Sequence, residues 1–180
     1  MRSRFFYIVF LILVSMYAGV AQDLSRHNWY FGNSTHAIRF VRTTNAAELI
    51  TKNLPGTFGT GGSAVATDHT NRNLLFYTDG DNVNDVQGLV MPNGGGLGGS
   101  TSSNQGVVSC PVPGTDSLYY IFVRNAAGIV TRTTVNMEDF GWSLFPAPPT
   151  GDVIPAQKGV PMAGLTGRSE ALIIISQPLD

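Results

Sequence analysis

Residues Leu118 to Met137 read LYYIFVRNAAGIVTRTTVNM, and the fold class follows from this stretch. Aromatic and β-branched residues fill LYYIFVR (Leu118 to Arg124), then NAAG (Asn125 to Gly128) supplies a turn, and IVTRTTVNM (Ile129 to Met137) returns. Two such runs around an Asn/Gly turn predict an antiparallel hairpin. Ile129, Thr131, Thr133 and Val135 fall on one face of the return strand, and Val130, Arg132 and Thr134 on the other. That alternation predicts a sheet with one wetter face.

The same grammar extends in both directions. Upstream lie Gln105–Cys110 (QGVVSC), Val86–Met91, Leu74–Thr78 (LLFYT), Ser63–Thr67 (SAVAT), His36–Arg42 (HAIRFVR) and Asn28–Gly32 (NWYFG). A turn at Asp68–Asn73 joins SAVAT to LLFYT as a second hairpin, and Pro111–Ser117 is a further turn. Downstream, after a Pro-rich loop at Pro146–Pro149, come Asp152–Ile154 and the apolar Glu170–Ser176 (EALIIIS). No segment beyond the N-terminal leader has a convincing helical period. Short strands spaced by turns predict an all-β sandwich, barrel or propeller. Two units, Ser63–Met91 and Gln105–Ile154, share a hairpin followed by an outer strand, and a repeated unit of about 40 residues is what a propeller blade needs.

The chain opens MRSRFFYIVFLILVSMYAGVA. Arg2 and Arg4 precede an apolar run from Phe5 to Tyr17, and the small residues Gly19 and Ala21 follow. This is the layout of a signal peptide over residues 1–21, cleaved between Ala21 and Gln22, leaving one domain over 22–180. The alternative is an uncleaved anchor, for which the run is short beside the roughly 20 residues of a span.

The 180 residues carry 11 basic and 12 acidic side chains, for a formal net charge of −1, so no basic nucleic-acid footprint is present. Twenty-one glycines and 10 prolines suit a turn-rich β protein. Cys110 is the single cysteine, which rules out an intrachain disulfide. Its apolar neighbours Val107, Val108, Pro111 and Val112 predict an inert packing thiol.

In order along the chain, NWYFG (Asn28–Gly32), LLFYTDG (Leu74–Gly80), VMPNGGGLGGSTSSNQG (Val90–Gly106), VPGTDSLYYIF (Val112–Phe122), VNM (Val135–Met137) and GDVI (Gly151–Ile154) resemble the N-terminal region of large secreted Bacteroidetes proteins. The resemblance implies propeller modules of WD-repeat-like architecture, often followed by PKD-type domains and a C-terminal sorting domain. It also implies export, in many members by the type IX route linked to gliding motility or surface display. It brings no catalytic residues with it. The chain departs at Asp81–Asp85 (DNVND), where the family has an aromatic segment. A closed propeller needs about four blades or more, and the residues supply two to three. The expectation is therefore a partial propeller, truncated at its C-terminal end. The strand at Trp29 would complete a last blade whose other strands are absent.

Motifs for chemistry are weak. Gly94, Gly96 and Gly99 match G-x-G-x-x-G, but a strand rather than a helix follows, and no lysine makes a Walker loop. The fragment reads as a turn. Asp79, Asp81 and Asp85 form an oxygen-rich cluster of the kind that holds Ca²⁺. The EF-hand spacing fails, with Val83 and Asn84 at its fifth and sixth positions and Val90 at its twelfth, and turn chemistry accounts for the same residues. His27, His36 and His69 have no zinc-ligand spacing. Asn33-Ser34-Thr35 is a formal glycosylation sequon that reads as a turn. Of the glutamates only Glu48, Glu138 and Glu170 are present, so a carboxylate-pair glycosidase would depend on aspartates. Trp29, Tyr30, Phe76, Tyr77, Tyr119, Tyr120 and Phe122 read first as core residues of strands, with ligand stacking by some of them as the alternative.

The expectation is an exported, noncatalytic surface or adhesion-type module that binds an extracellular protein or glycan through loops on rigid blades. It is delivered by bacterial export machinery, with no cofactor, no nucleic acid and no membrane contact after cleavage. The alternative is an extracellular hydrolase of glycans or peptides, with acids from loop aspartates.

Overall fold

The computed structural model describes residues 28–31, 34–41, 43–51, 59, 61–68, 73–100, 103–144, 147–165 and 172–173. The leader with its Ala21/Gln22 cleavage point, the Asp68–Asn73 turn apart from its ends, His27, His69, Asn33 and all but two residues of Glu170–Ser176 lie outside them. Among the described residues, no helix is long and apolar enough to cross a membrane.

The chain is all-β, in three small antiparallel sheets. The first holds β1 (Asn28–Tyr30), β2 (His36–Phe40) and β3 (Ala47–Thr51), in that order. The second holds β4 (Ala64–Thr67), β5 (Leu74–Thr78) and β6 (Val83–Asp85). The third is a meander of β7 (Val107–Pro111), β8 (Leu118–Arg124) and β9 (Val130–Asn136). Along its far edge lie β10 (Asp152–Val153) and β11 (Val160–Pro161), both paired to β9. Between Val153, opposite Val135, and Val160, opposite Arg132, a 3-10 turn at Pro155–Gln157 breaks this outer strand.

The hairpins form where alternating aromatic and β-branched residues meet a turn donor. At Asn125–Gly128, the Asn125 carboxamide accepts from Ile129 N (2.9 Å), and Gly128 takes the positive φ (77°) the turn needs. Expectations are corrected here at several points. Val86–Met91 is not a strand: Asp85 Oδ1 accepts from Gln87 N (2.9 Å) and Leu89 N (3.0 Å), which bends the chain after β6. Only a single bridge, Asn84 to Val90, remains of a fourth strand in the second sheet. The third sheet has the one wetter face expected of it, on which Leu118, Tyr120, Phe122 and Arg124 of β8 are half-buried, but β9 does not share that alternation. It lies inside its sheet, and Val130, Thr131, Thr133, Thr134 and Val135 are all buried. Trp29, expected to close a distant blade, instead sits on β1 opposite Ile38 of β2.

The sheets stack face to face in chain order. Phe76 of the second meets Tyr119 of the third edge-on at 5.7 Å, within a core that includes Val83, Ile121, Val123, Val135 and Val153. Each large side chain buried there contributes about 1.5–3 kcal/mol. On its other face the second sheet offers Tyr77, which stacks on Tyr30 of the first sheet beside Ala37.

The leading strands of the three sheets lie side by side. Gly62 N donates to Ser103 O (2.6 Å) and Ser109 Oγ to Val65 O (3.0 Å), so β4 and β7 advance in the same direction. Asn28 Nδ2 donates to Thr67 Oγ1 (3.2 Å) and Ser63 Oγ to Tyr30 O (2.5 Å), so β1 runs the opposite way along β4. The second and third sheets thus repeat one arrangement, and the first does not.

Candidate functional site

The acidic loop is built for structure. Asp79 is buried; its Oδ1 accepts from Asp81 N (2.9 Å) and Asn82 N (2.8 Å), and its Oδ2 from Gly59 N (3.0 Å). Asp85 is fully buried with its Oδ1 in the turn just described, and Asp81 Oδ1 accepts from Gly98 N at 3.4 Å. Each of the three carboxylates accepts from backbone amides. Among the described residues, no group of three or more His, Cys, Asp or Glu side chains is arranged to hold a metal ion. Glu48 pairs with Arg39 across β2 and β3 (2.8 Å), and His36 is exposed beside Thr35.

Gly94, Gly96 and Gly99 belong to a long connection that crosses from the second sheet to the third. Gly99 N donates to Gly80 O (3.0 Å), and a Cβ at Gly99 would run into that same carbonyl. No helix follows, so the loop presents no helix N-terminus to a phosphate. Its apolar residues Met91 and Leu97 are buried, which makes the loop a lid on the core. Four contacts tie it to the outer edge of the third sheet. Val153 N donates to Pro92 O (3.2 Å), Asn93 Nδ2 to Asp152 Oδ1 (3.1 Å), Trp142 Nε1 to Val90 O (2.6 Å), and Lys158 Nζ to Gly95 O.

Cys110 is half-buried on the face of the third sheet turned away from the core, opposite Tyr120. Burial raises its thiol pKa above the ordinary value, so the reactive thiolate is disfavoured. Arg132 lies on this face, its guanidinium 5.0 Å from the Tyr120 ring centroid.

The aromatics singled out in the sequence differ in exposure. Phe76, Tyr77, Tyr119 and Tyr30 are buried, Tyr120 and Phe122 are half-buried, and Trp29 is 48% exposed. Burial raises the Tyr77 and Tyr119 phenols to about 12 and pushes Tyr30 higher still.

Trp29 opens onto a cleft of about 600 Å³ along the edge of β1 that faces the lead into β4. One wall is β1 continuing into Phe31, itself 46% exposed. The facing wall is the lead into β4 at Gly61–Ser63, and the end is closed by Asn104 and Gln105, just before β7. Glycine is required in that wall: a Cβ at Gly62 would stand 2.5 Å from Asn104 O. The indole of Trp29 is held edge-to-face on Phe40, with centroids 5.2 Å apart. Among the described residues lining the cleft, none is charged. Asn104 and Gln105 were not visible as site residues in the sequence, where they sit in a polar loop with no motif.

Compared with known proteins, the chain matches no family model, no curated protein and no solved structure.

Proposed function

We propose that the chain is an exported, noncatalytic binding module, its second and third sheets forming blades of a partial propeller with the first sheet packed against them. The common direction of β4 and β7 and the face-to-face stacking support the blade reading. The leader sequence, and the resemblance of the ordered motifs to those of secreted Bacteroidetes surface proteins, support export and display. The observation that carries the binding role is the cleft at β1, where three separate chain segments present exposed aromatic and amide side chains on a rigid stack. The loop aspartates favour this reading over a hydrolase. Asp79 spends both carboxylate oxygens on backbone amides, which leaves it poorly placed as a catalytic acid or nucleophile.

The test is to express the full chain in a two-membrane bacterium, fractionate the cells and sequence the N-terminus of the product. The product is then passed over immobilised extracellular proteins and polysaccharides, with analysis for cleavage. Export with a new N-terminus at Gln22 and retention without turnover is the expected result. A cytoplasmic product, or release of cleaved fragments, would overturn the proposal.

A further inference from the structure

We propose that the cleft along β1 is a saccharide site for a neutral sugar chain, an inference that rests on the binding-module reading above. The argument is from the chemistry of the lining. A pyranose ring has an apolar face of C–H groups and a rim of hydroxyls, each both donor and acceptor. The first wants an aromatic surface and the second wants groups that donate and accept together. Trp29 and Phe31, each nearly half exposed, supply the aromatic surface at one wall. Asn104 and Gln105 line the cleft and are exposed, and each carries a carboxamide with a carbonyl acceptor and an amino donor.

Charge narrows the ligand class. None of the described lining residues is a cation that would compensate a uronate, sulfate or phosphate group. Nor is any of the described lining residues a carboxylate that would pair with an amine. Desolvating an uncompensated charge is costly, and a neutral polymer avoids that cost. The volume of about 600 Å³ falls within the roughly 300–1,000 Å³ of small-molecule sites. The Trp29–Phe40 contact fixes the indole before any ligand arrives, so less side-chain freedom is lost on binding.

Trp29 and Trp142 are the two tryptophans of the chain, so the Trp142→Phe variant reports on the cleft alone. Its fluorescence is titrated with neutral oligomers (β-1,4-glucan, xylan, chitin and α-1,4-glucan series) and with polyuronate oligomers as the charged control. A saturable change with at least one neutral series, weakened about three- to tenfold by Asn104→Ala or Gln105→Ala, is expected. Both of those side chains are exposed, so these variants keep the test independent of the packing role of Trp29. The saccharide assignment is overturned if only polyuronates act, if no oligomer moves the Trp29 signal, or if the two amide variants bind unchanged. If an immobilised protein shifts Trp29 and no sugar does, the saccharide assignment falls while the binding-module reading stands. If a neutral oligomer is bound and then cleaved, the assignment stands and the noncatalytic reading falls.

Discussion

Tyr30 and Tyr77 stack ring on ring, with centroids 4.7 Å apart and planes inclined by 22°, and this pair joins the first sheet to the second. Both phenols ionise at higher pH when folded than their ordinary value of 10.0, because burial penalises the phenolate. A raised folded-state pKa means the native state holds its protons more tightly than the unfolded chain does. The associated stability is complete below pH 10 and is lost as the pH climbs toward the folded value of about 12 for Tyr77. Thermal unfolding between pH 8 and pH 11.5 should therefore show the melting temperature falling above about pH 10. Absorbance at 295 nm should show phenolate appearing together with unfolding, and Tyr77→Phe should flatten the decline. A melting temperature independent of pH across this range would contradict the buried placement of the pair.

Asp79 holds its turn through both carboxylate oxygens, and one experiment separates this role from that of a metal ligand. Asp79→Asn replaces an acceptor oxygen by an amino group facing backbone donors, which should cost about 1–3 kcal/mol. Millimolar Ca²⁺ should leave the melting temperature of the unaltered chain where it was. A calcium-dependent rise that vanishes in Asp79→Asn would show that the loop is an ion site after all.

Gly62 allows the approach of the β4 lead to the Asn104 backbone, which is the narrowest point of the cleft wall. Gly62→Ala forces a methyl group into that carbonyl and should cost about 1–3 kcal/mol in urea unfolding. An unchanged midpoint would mean that the two leads do not lie this close in solution.

The thiol of Cys110 should react slowly. With its pKa raised by burial, native protein at pH 7.5 should label with Ellman's reagent far more slowly than the same protein in denaturant. Equal rates would place the sulfur in open solvent.

How much of this could be read beforehand depended on which force set each element. The strands Leu74–Thr78 and Leu118–Arg124 form over the residues expected of them, because alternating aromatic and β-branched side chains already favour a pleated, half-buried surface. β3 (Ala47–Thr51) went unseen, since Ala, Glu and Leu carry no strand preference. It forms because Asn45, at φ 54°, turns the chain back on β2, and pairing does the rest. At Val86–Met91 the error runs the other way. Val86, Leu89 and Val90 look like a buried strand, but the carboxylate of Asp85 claims the backbone amides, and all three side chains are exposed. The cleft was legible only through Trp29. Asn104 and Gln105 reach it by the packing of β7 beside β4, a relation that no local pattern encodes.

The four contacts between the glycine-rich connection and the outer edge of the third sheet bear on how the protein would carry mechanical load. A lone edge strand as short as β10 peels away one bond at a time. Here Asp152, Val153, Lys158 and Trp142 are fastened to backbone and side chain that belong to the neighbouring sheet. Tension applied along that edge would be shared among these bonds. A protein held by its C-terminal side against flow would transmit the pull through two sheets at once rather than unzip at its rim.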